Sequence, residues 1–410
     1  MLDYLIIGAG ISGITLARLL QKQGKKNILV IEKESEPGGL CRTKKINGHT
    51  LDIGGGHFLC TKYPEVYDFI FSHLPKSGFN YFDRVSKIEL GESIIDFPIE
   101  SNLWQLPLEQ QTEYLISAIQ SGEVLGKQEP KNYEQWIRWK LGDKVADNYM
   151  IPYNKKIWGV KPKEMDIDWL YKIPRLDTKE IVKSCLARKS DKQKIPSHAI
   201  LYYPKTGGFQ SIFDAIYEHV KDRVHLNEPL KKLEYKKGHW VINNKYKAKV
   251  VINTAPWIYI YRAMDKPKRL KNSMQLLKAN TIVVSLWEKE YGHNWHWLYR
   301  PDPTLEQHRE FFLNNFIPRN KKGGYFTETN IKRWPGKNGV WSWSNKKKPI
   351  YEYVCEFAYP IAIVGYLKAV NTVLDYFKTR NLHGLGRWGQ WQYHNMDICM
   401  WHAMQLAKKI

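Results

Sequence analysis

The stretch "DYLIIGAGISGITLARLLQKQGKKNILVIEK" (Asp3–Lys33) reads as strand, glycine turn, helix and strand. Tyr4 to Ile7 form a short buried run, Gly8-x-Gly10-x-x-Gly13 gives the turn, and Ile14 to Leu20 carry apolar residues at helical spacing. Gly24 ends the helix and Ile28 to Ile31 supply the second strand. Without side chains, the glycines let backbone N–H groups approach a pyrophosphate at the helix N-terminus, where the dipole favours negative charge. Glu32 closes the second strand at the distance where an acid bonds a ribose hydroxyl. This order predicts a dinucleotide-binding, Rossmann-like α/β fold.

Working outward, "EPGGLCRT" (Glu36 to Thr43) adds a second glycine pair, with Gly39 followed by Arg42. "LDIGGGHF" (Leu51 to Phe58) places His57 directly after Gly56. Backbone this free of side chains can press against a flat isoalloxazine ring, which favours FAD over NAD.

Composition sets the outer limits. A chain of 410 residues with 43% hydrophobic content is globular and long enough for two or three domains. It contains no uncharged apolar run of about 18 residues, so neither a membrane span nor a signal peptide is expected, and the expected setting is cytoplasmic. Cys41, Cys60, Cys185, Cys355 and Cys399 lack CxxC pairing, which argues against a metal site or a disulfide framework. A net charge of +22 suits either an anionic partner or simply surfaces solvated by Lys. It is spread along the chain without a basic tail, which favours a phosphorylated substrate or peripheral contact with acidic lipid over nucleic acid.

Further segments carry a family resemblance. "EPGGLCRT" resembles the flavin-binding signature of the amine oxidase and protoporphyrinogen oxidase superfamily. "DFPIESNLWQLP" (Asp96 to Pro107), "MIPYNKKIWGVKPKEMDIDWL" (Met150 to Leu170) and "YYPKTGGFQSIFDAI" (Tyr202 to Ile216) resemble the UDP-galactopyranose mutase family, particularly its eukaryotic-type members. The resemblance matches Asn154 and Trp158 to a substrate-binding pair, although spacing alone favours Tyr153 and Trp158 simply packing between helices. In "WHWLYRPDPTLEQHREFFLNNFIP" it implies that Trp297, Tyr299 and Arg309 meet the substrate, Arg309 at the diphosphate. The family's following Tyr, also at the substrate, is Phe316 here, so the resemblance implies that Phe316 lines the substrate site with one hydrogen bond to the diphosphate lost to other donors. Tyr359 in "EFAYPI" is implied as a phosphate contact, and Lys172 and Arg175 in "KIPRLD" are both candidates for the mobile-loop cation. In "GRWGQWQYHNMDICMWHAM" the resemblance places Arg387, Asn395, Met396 and Asp397 along the flavin and Tyr393 near the diphosphate. Asp397 at a helix start equally suits a plain cap.

The resemblance implies a flavin-dependent isomerase. Such an enzyme contracts the ring of a nucleotide-linked hexopyranose to the furanose through a flavin N5–sugar adduct, with FAD active when reduced by NAD(P)H or another external reductant. His57, Arg309 and Arg175 would serve the chemistry. A homo-oligomer is expected. A flavin oxidase or desaturase is the alternative, since it would share the first fifty residues. The architecture implied is a discontinuous FAD-binding domain (1–99, 200–268 and 351–410), a helical insertion (100–199) and an antiparallel substrate sheet (269–350). Arg319 to Pro349 has no counterpart in the resemblance.

Overall fold

The computed structural model describes residues 1–170, 177–190, 200–317, 324–334 and 348–410. The opening stretch folds as its pattern predicts, with a strand at Leu2–Ile7, a helix at Ile11–Lys22 and a parallel strand at Ile28–Ile31. These strands are almost wholly buried, because the sheet is covered on both faces. The strand Tyr246–Asn253 lies parallel on the other side of Leu2–Ile7. It is reached through an antiparallel hairpin, Leu233–Lys236 and His239–Ile242. Val224–His225 and Leu382–Gly384 complete a seven-stranded sheet.

A second seven-stranded sheet runs in the order 351–361, 278–287, 325–330, 309–312, 297–299, 86–90 and 93–96. It is antiparallel except where Trp297–Tyr299 runs parallel to Ser86–Leu90. Here the expected domain boundaries change. Ser86–Leu90, Ser93–Asp96 and Tyr351–Ile361, counted with the flavin segments, hydrogen-bond into the substrate sheet. Burial of their apolar faces against that sheet outweighs their position in the chain. Of the unplaced segment 319–349, Tyr325–Asn330 forms an inner strand of this sheet.

The insertion is helical at Leu108–Ile119, Tyr133–Val145, Ile151–Trp158 and Thr178–Ala187. A π-helical turn at Ala146–Met150 joins the second to the third, and Gly159 ends the third in the left-handed conformation. The last helix, Met396–Ala407, packs beside Ile11–Lys22. Among the described residues no helix is long and apolar enough to cross a membrane.

Candidate functional site

Two cavities meet beyond the carboxyl ends of the parallel strands, where open α/β sheets bind ligands. The first is a trough of about 490 Å³ lined by Gly8, Gly10, Glu32, Gly39, Arg42 and Arg387. Gly8 turns the chain with φ +103°, and a Cβ on Gly10 would meet no protein atom within 4 Å, so Gly10 opens onto the trough. Gly13 does not line the trough: a Cβ there would lie 2.2 Å from the Gly8 carbonyl, so Gly13 sets the contact between helix and strand. Glu32 accepts hydrogen bonds from the N–H groups of Ala9 (2.8 Å) and Glu34 (3.0 Å). A carboxylate has about four acceptor sites, which leaves capacity for a ribose hydroxyl. Arg42 donates to the Gly39 carbonyl at 3.1 Å and to Tyr353 Oη at 2.9 Å. Arg387 donates to the carbonyls of His394 and Ala358, both at 2.9 Å, and has no carboxylate partner among the described residues. A glycine floor, an acid and an unneutralised guanidinium fit a dinucleotide such as FAD.

The second cavity holds about 270 Å³ and shares His57, Arg387 and Met396 with the first. Burial lowers the His57 imidazole to about 4, and nearby Arg387 adds to the effect, so the ring is neutral at neutral pH. Its Nδ1 lies 2.8 Å from the Gly55 carbonyl, and its ring stacks on Phe209. Gly56 permits a close approach, since a Cβ there would lie 1.9 Å from the Phe311 ring. Tyr299 lies opposite Arg309 and Trp297 opposite Phe311 on paired strands. The two-residue alternation of a strand turns all four side chains to the same cavity.

Arg309 is held by a residue that no sequence motif marks. Glu328 sits opposite it on the next strand, only 1% exposed, and accepts from Arg309 Nη2 at 2.6 Å and Nε at 3.2 Å. Burial alone would raise the Glu328 carboxyl, but Arg309 and His308 draw it down to about 2. Glu328 also accepts from the Gly56 N–H at 3.2 Å, tying the ion pair to the glycine segment. Arg309 Nη2 reaches Tyr359 Oη at 3.3 Å, and Nη1 has no partner among the described residues. Burial raises the phenols of Tyr153 and Tyr359 well above 10, so both stay protonated. Arg84, also unforeseen, lines this cavity between the rings of Phe97 (4.3 Å) and Trp297 (4.6 Å) and donates to Tyr299 Oη.

The helical segment supplies the opposite wall. Trp158 Nε1 donates to Asn154 Oδ1 at 2.9 Å, and Asn154 Nδ2 donates to Tyr133 Oη and the Met150 carbonyl. Trp158 meets Tyr393 edge to face at 5.6 Å, and Tyr393 meets Tyr359 likewise at 4.8 Å. Asn395 and Asp397 line this cavity at the start of the last helix. Phe316 is a correction. It stacks behind Trp297 and packs on His296 and Tyr203, off the cavity wall, because an apolar ring gains more from this aromatic core than from a polar cleft. Lys172 and Arg175 lie outside the described residues.

The signal for Glu328 was weak, since "YFTETN" reads as a polar strand and its partner Arg309 is set only by sheet register. Arg84 carries no motif, and its aromatic neighbours come from separate strands and turns.

Comparison with known proteins agrees with this fold. The family model described as an NAD(P)-binding Rossmann-like domain matches residues 6–72. The dTDP-fucopyranose mutase of Escherichia coli is 24% identical over 182 residues, covering 42% of this chain and 46% of that protein. The UDP-galactopyranose mutase of Mycoplasma pneumoniae is 26% identical over 258 residues, covering 61% of each. The matches thus span about half to three-fifths of those relatives. A crystal structure of reduced UDP-galactopyranose mutase superposes with a TM-score of 0.86 at 21% identity, covering 100% of this chain and 95% of the other. The chain is thus similar in sequence to sugar-nucleotide mutases and shares the fold of UDP-galactopyranose mutase.

Proposed function

We propose that this protein is a flavin-dependent mutase that interconverts the pyranose and furanose forms of a nucleotide-linked sugar. UDP-galactopyranose and UDP-galactofuranose, or close relatives, are its substrates, and its product serves cell-surface glycan synthesis. The observation that carries this reading is the wall of His57, Arg387 and Met396 shared between a dinucleotide trough and a cavity of cations and phenols. Gly8, Gly10, Glu32, Gly39, Arg42 and Arg387 would hold FAD, with Asn395, Met396 and Asp397 beside its ring. Bound and reduced by NAD(P)H or a similar donor, FAD supplies a nucleophilic ring nitrogen, N5, to an anomeric carbon.

This chain's own residues bind, orient and neutralise. Arg309 presents Nη1, which has no partner among the described residues, to a diphosphate, on which negative charge grows as the bond to the sugar breaks. Tyr153, Tyr359 and Tyr393 add phenolic donors, and Arg175 or Lys172 a further cation. Trp158, Asn154, Trp297 and Tyr299 orient the substrate between two walls. Neutral His57 braces the glycine segment without adding charge beside the ring. A cytoplasmic homo-oligomer completes the reading, checked by cell fractionation and sedimentation.

The test compares turnover of UDP-galactopyranose by dithionite-reduced and air-oxidised protein while following dissolved oxygen. Turnover confined to the reduced form, without oxygen consumption, is the expected result. Equal rates in both forms, or oxygen consumed in proportion to product, would replace the mutase with an oxidase.

A further inference from the structure

Asn280, only 4% exposed, lies behind the second cavity and ties the main chain of its two walls together. Its Nδ2 donates to the Ile157 carbonyl at 2.8 Å, and its Oδ1 accepts from the Tyr359 N–H at 2.8 Å. Ile157 precedes Trp158 at the end of the helical wall, and Tyr359 turns its phenol to Arg309 on the strand wall. Trp158 and Tyr359 both line the cavity, with their rings 6.0 Å apart and edge to face.

The needs of the helix end do not explain this residue. The last carbonyls of a helix lack partners within it, but the Ile157 carbonyl also accepts from Asn330 Nδ2 at 3.0 Å, and Asn330 Oδ1 turns to the Lys332 N–H. One amide satisfies the carbonyl, so the second matters for what its other end holds. That end sits where strand pairing slips: Asn280 lies opposite Tyr359 and Ile282 opposite Cys355, so residues 356–358 stand against Thr281 alone. A bulge interrupts the ladder and re-aims the side chains beside it. Here it leads the strand from the trough, lined by Glu356 and Phe357, to the second cavity at Tyr359. The Asn280 amide fixes the strand at the point where it enters that cavity.

We propose that Asn280 is a positioning residue: by joining Ile157 to Tyr359 it sets the gap between Trp158 and Tyr359 and holds the Tyr359 phenol beside Arg309, where both meet the diphosphate. This rests on the mutase reading. Asn280 lines neither cavity and acts through Tyr359.

The experiment uses holoenzyme of the wild type, Asn280→Leu, Asn330→Leu, Tyr359→Phe and the double variant Asn280→Leu with Tyr359→Phe. Flavin content, the melting temperature, the calorimetric Kd for UDP, and kcat and KM of the reduced enzyme for UDP-galactopyranose are measured. Both leucine variants should lower the melting temperature, since each removes a donor from the same buried carbonyl. Asn280→Leu should also raise the Kd for UDP and the KM roughly tenfold with flavin retained, the scale of one misplaced hydrogen bond, whereas Asn330→Leu should leave both within about twofold. In the Tyr359→Phe background, Asn280→Leu should weaken UDP by less than about twofold more, because residues that act as a unit are not additive. Should Asn280→Leu lose its flavin or its melting transition, Asn280→Ser, too short to reach both main-chain groups, must show the same loss of UDP affinity. Equal effects of Asn280→Leu and Asn330→Leu on UDP binding, or a full loss persisting in the Tyr359→Phe background, would overturn the role of Asn280 and leave the mutase standing. A wild type that neither binds UDP nor isomerises its sugar overturns the mutase reading and the Asn280 assignment together.

Discussion

Arg309 cannot be judged apart from Glu328. Replacing it with alanine removes the donor proposed for the diphosphate and strands a buried carboxylate whose main stabilising charge was Arg309. Breaking a buried pair by removing one partner costs about 3–5 kcal/mol, most of it the desolvation of the remaining charge. Arg309→Ala should therefore lower the melting temperature and weaken nucleotide-sugar binding, the latter by roughly 2–4 kcal/mol. Adding Glu328→Gln should restore most of the stability and none of the binding. Thermal melts and titration calorimetry on both variants check this, and recovery of affinity in the double variant would remove Arg309 from the diphosphate site.

At the scale of the element, the glycine turn divides its work between ligand and fold. Gly10 faces open space in the trough, whereas a Cβ on Gly13 would strike the Gly8 carbonyl and Ile6. Gly10→Val is expected to fold and to purify without flavin absorbance, because the branched side chain fills the ground of the pyrophosphate. Gly13→Val should instead lower the melting temperature, as the helix must lift from its strand. Stoichiometric FAD on a folded Gly10→Val protein would show that the cofactor lies elsewhere. The same division explains what was legible: the spacing of the turn is local, so its strands and helix appear at almost the expected residues.

For the whole molecule, buried titratable groups set the response to acid. Burial holds His57, His296 and His308 at about 4 and also lowers His73, His293, His383 and His402. In the unfolded chain these imidazoles protonate near 6.5, so unfolding takes up protons between those values. Their contribution is complete above about pH 6.5 and is lost as pH falls toward 4. Burial raises Asp52 to about 6 and Glu100 to about 7, and it also raises Asp168 and Asp214. These carboxyls act in the opposite sense, favouring the fold below their ordinary range. The imidazoles outnumber them, so the melting temperature should drop between pH 6.5 and 4.5 in calorimetry. A rise over that window would mean that the carboxyls dominate.

The sequence by itself determined the Rossmann-like start, the glycine segments before His57 and the helical insertion, whereas the cluster at Arg387 to Asp397 was implied only by family resemblance. The first three are written in spacing over a few residues, where backbone geometry and periodicity act locally. Only the tertiary structure decided that Glu328 neutralises Arg309, that Phe316 turns into an aromatic core, and that Tyr351–Ile361 crosses into the substrate sheet. Those outcomes depend on strand register between segments far apart in the chain, which is settled by which faces can be buried together.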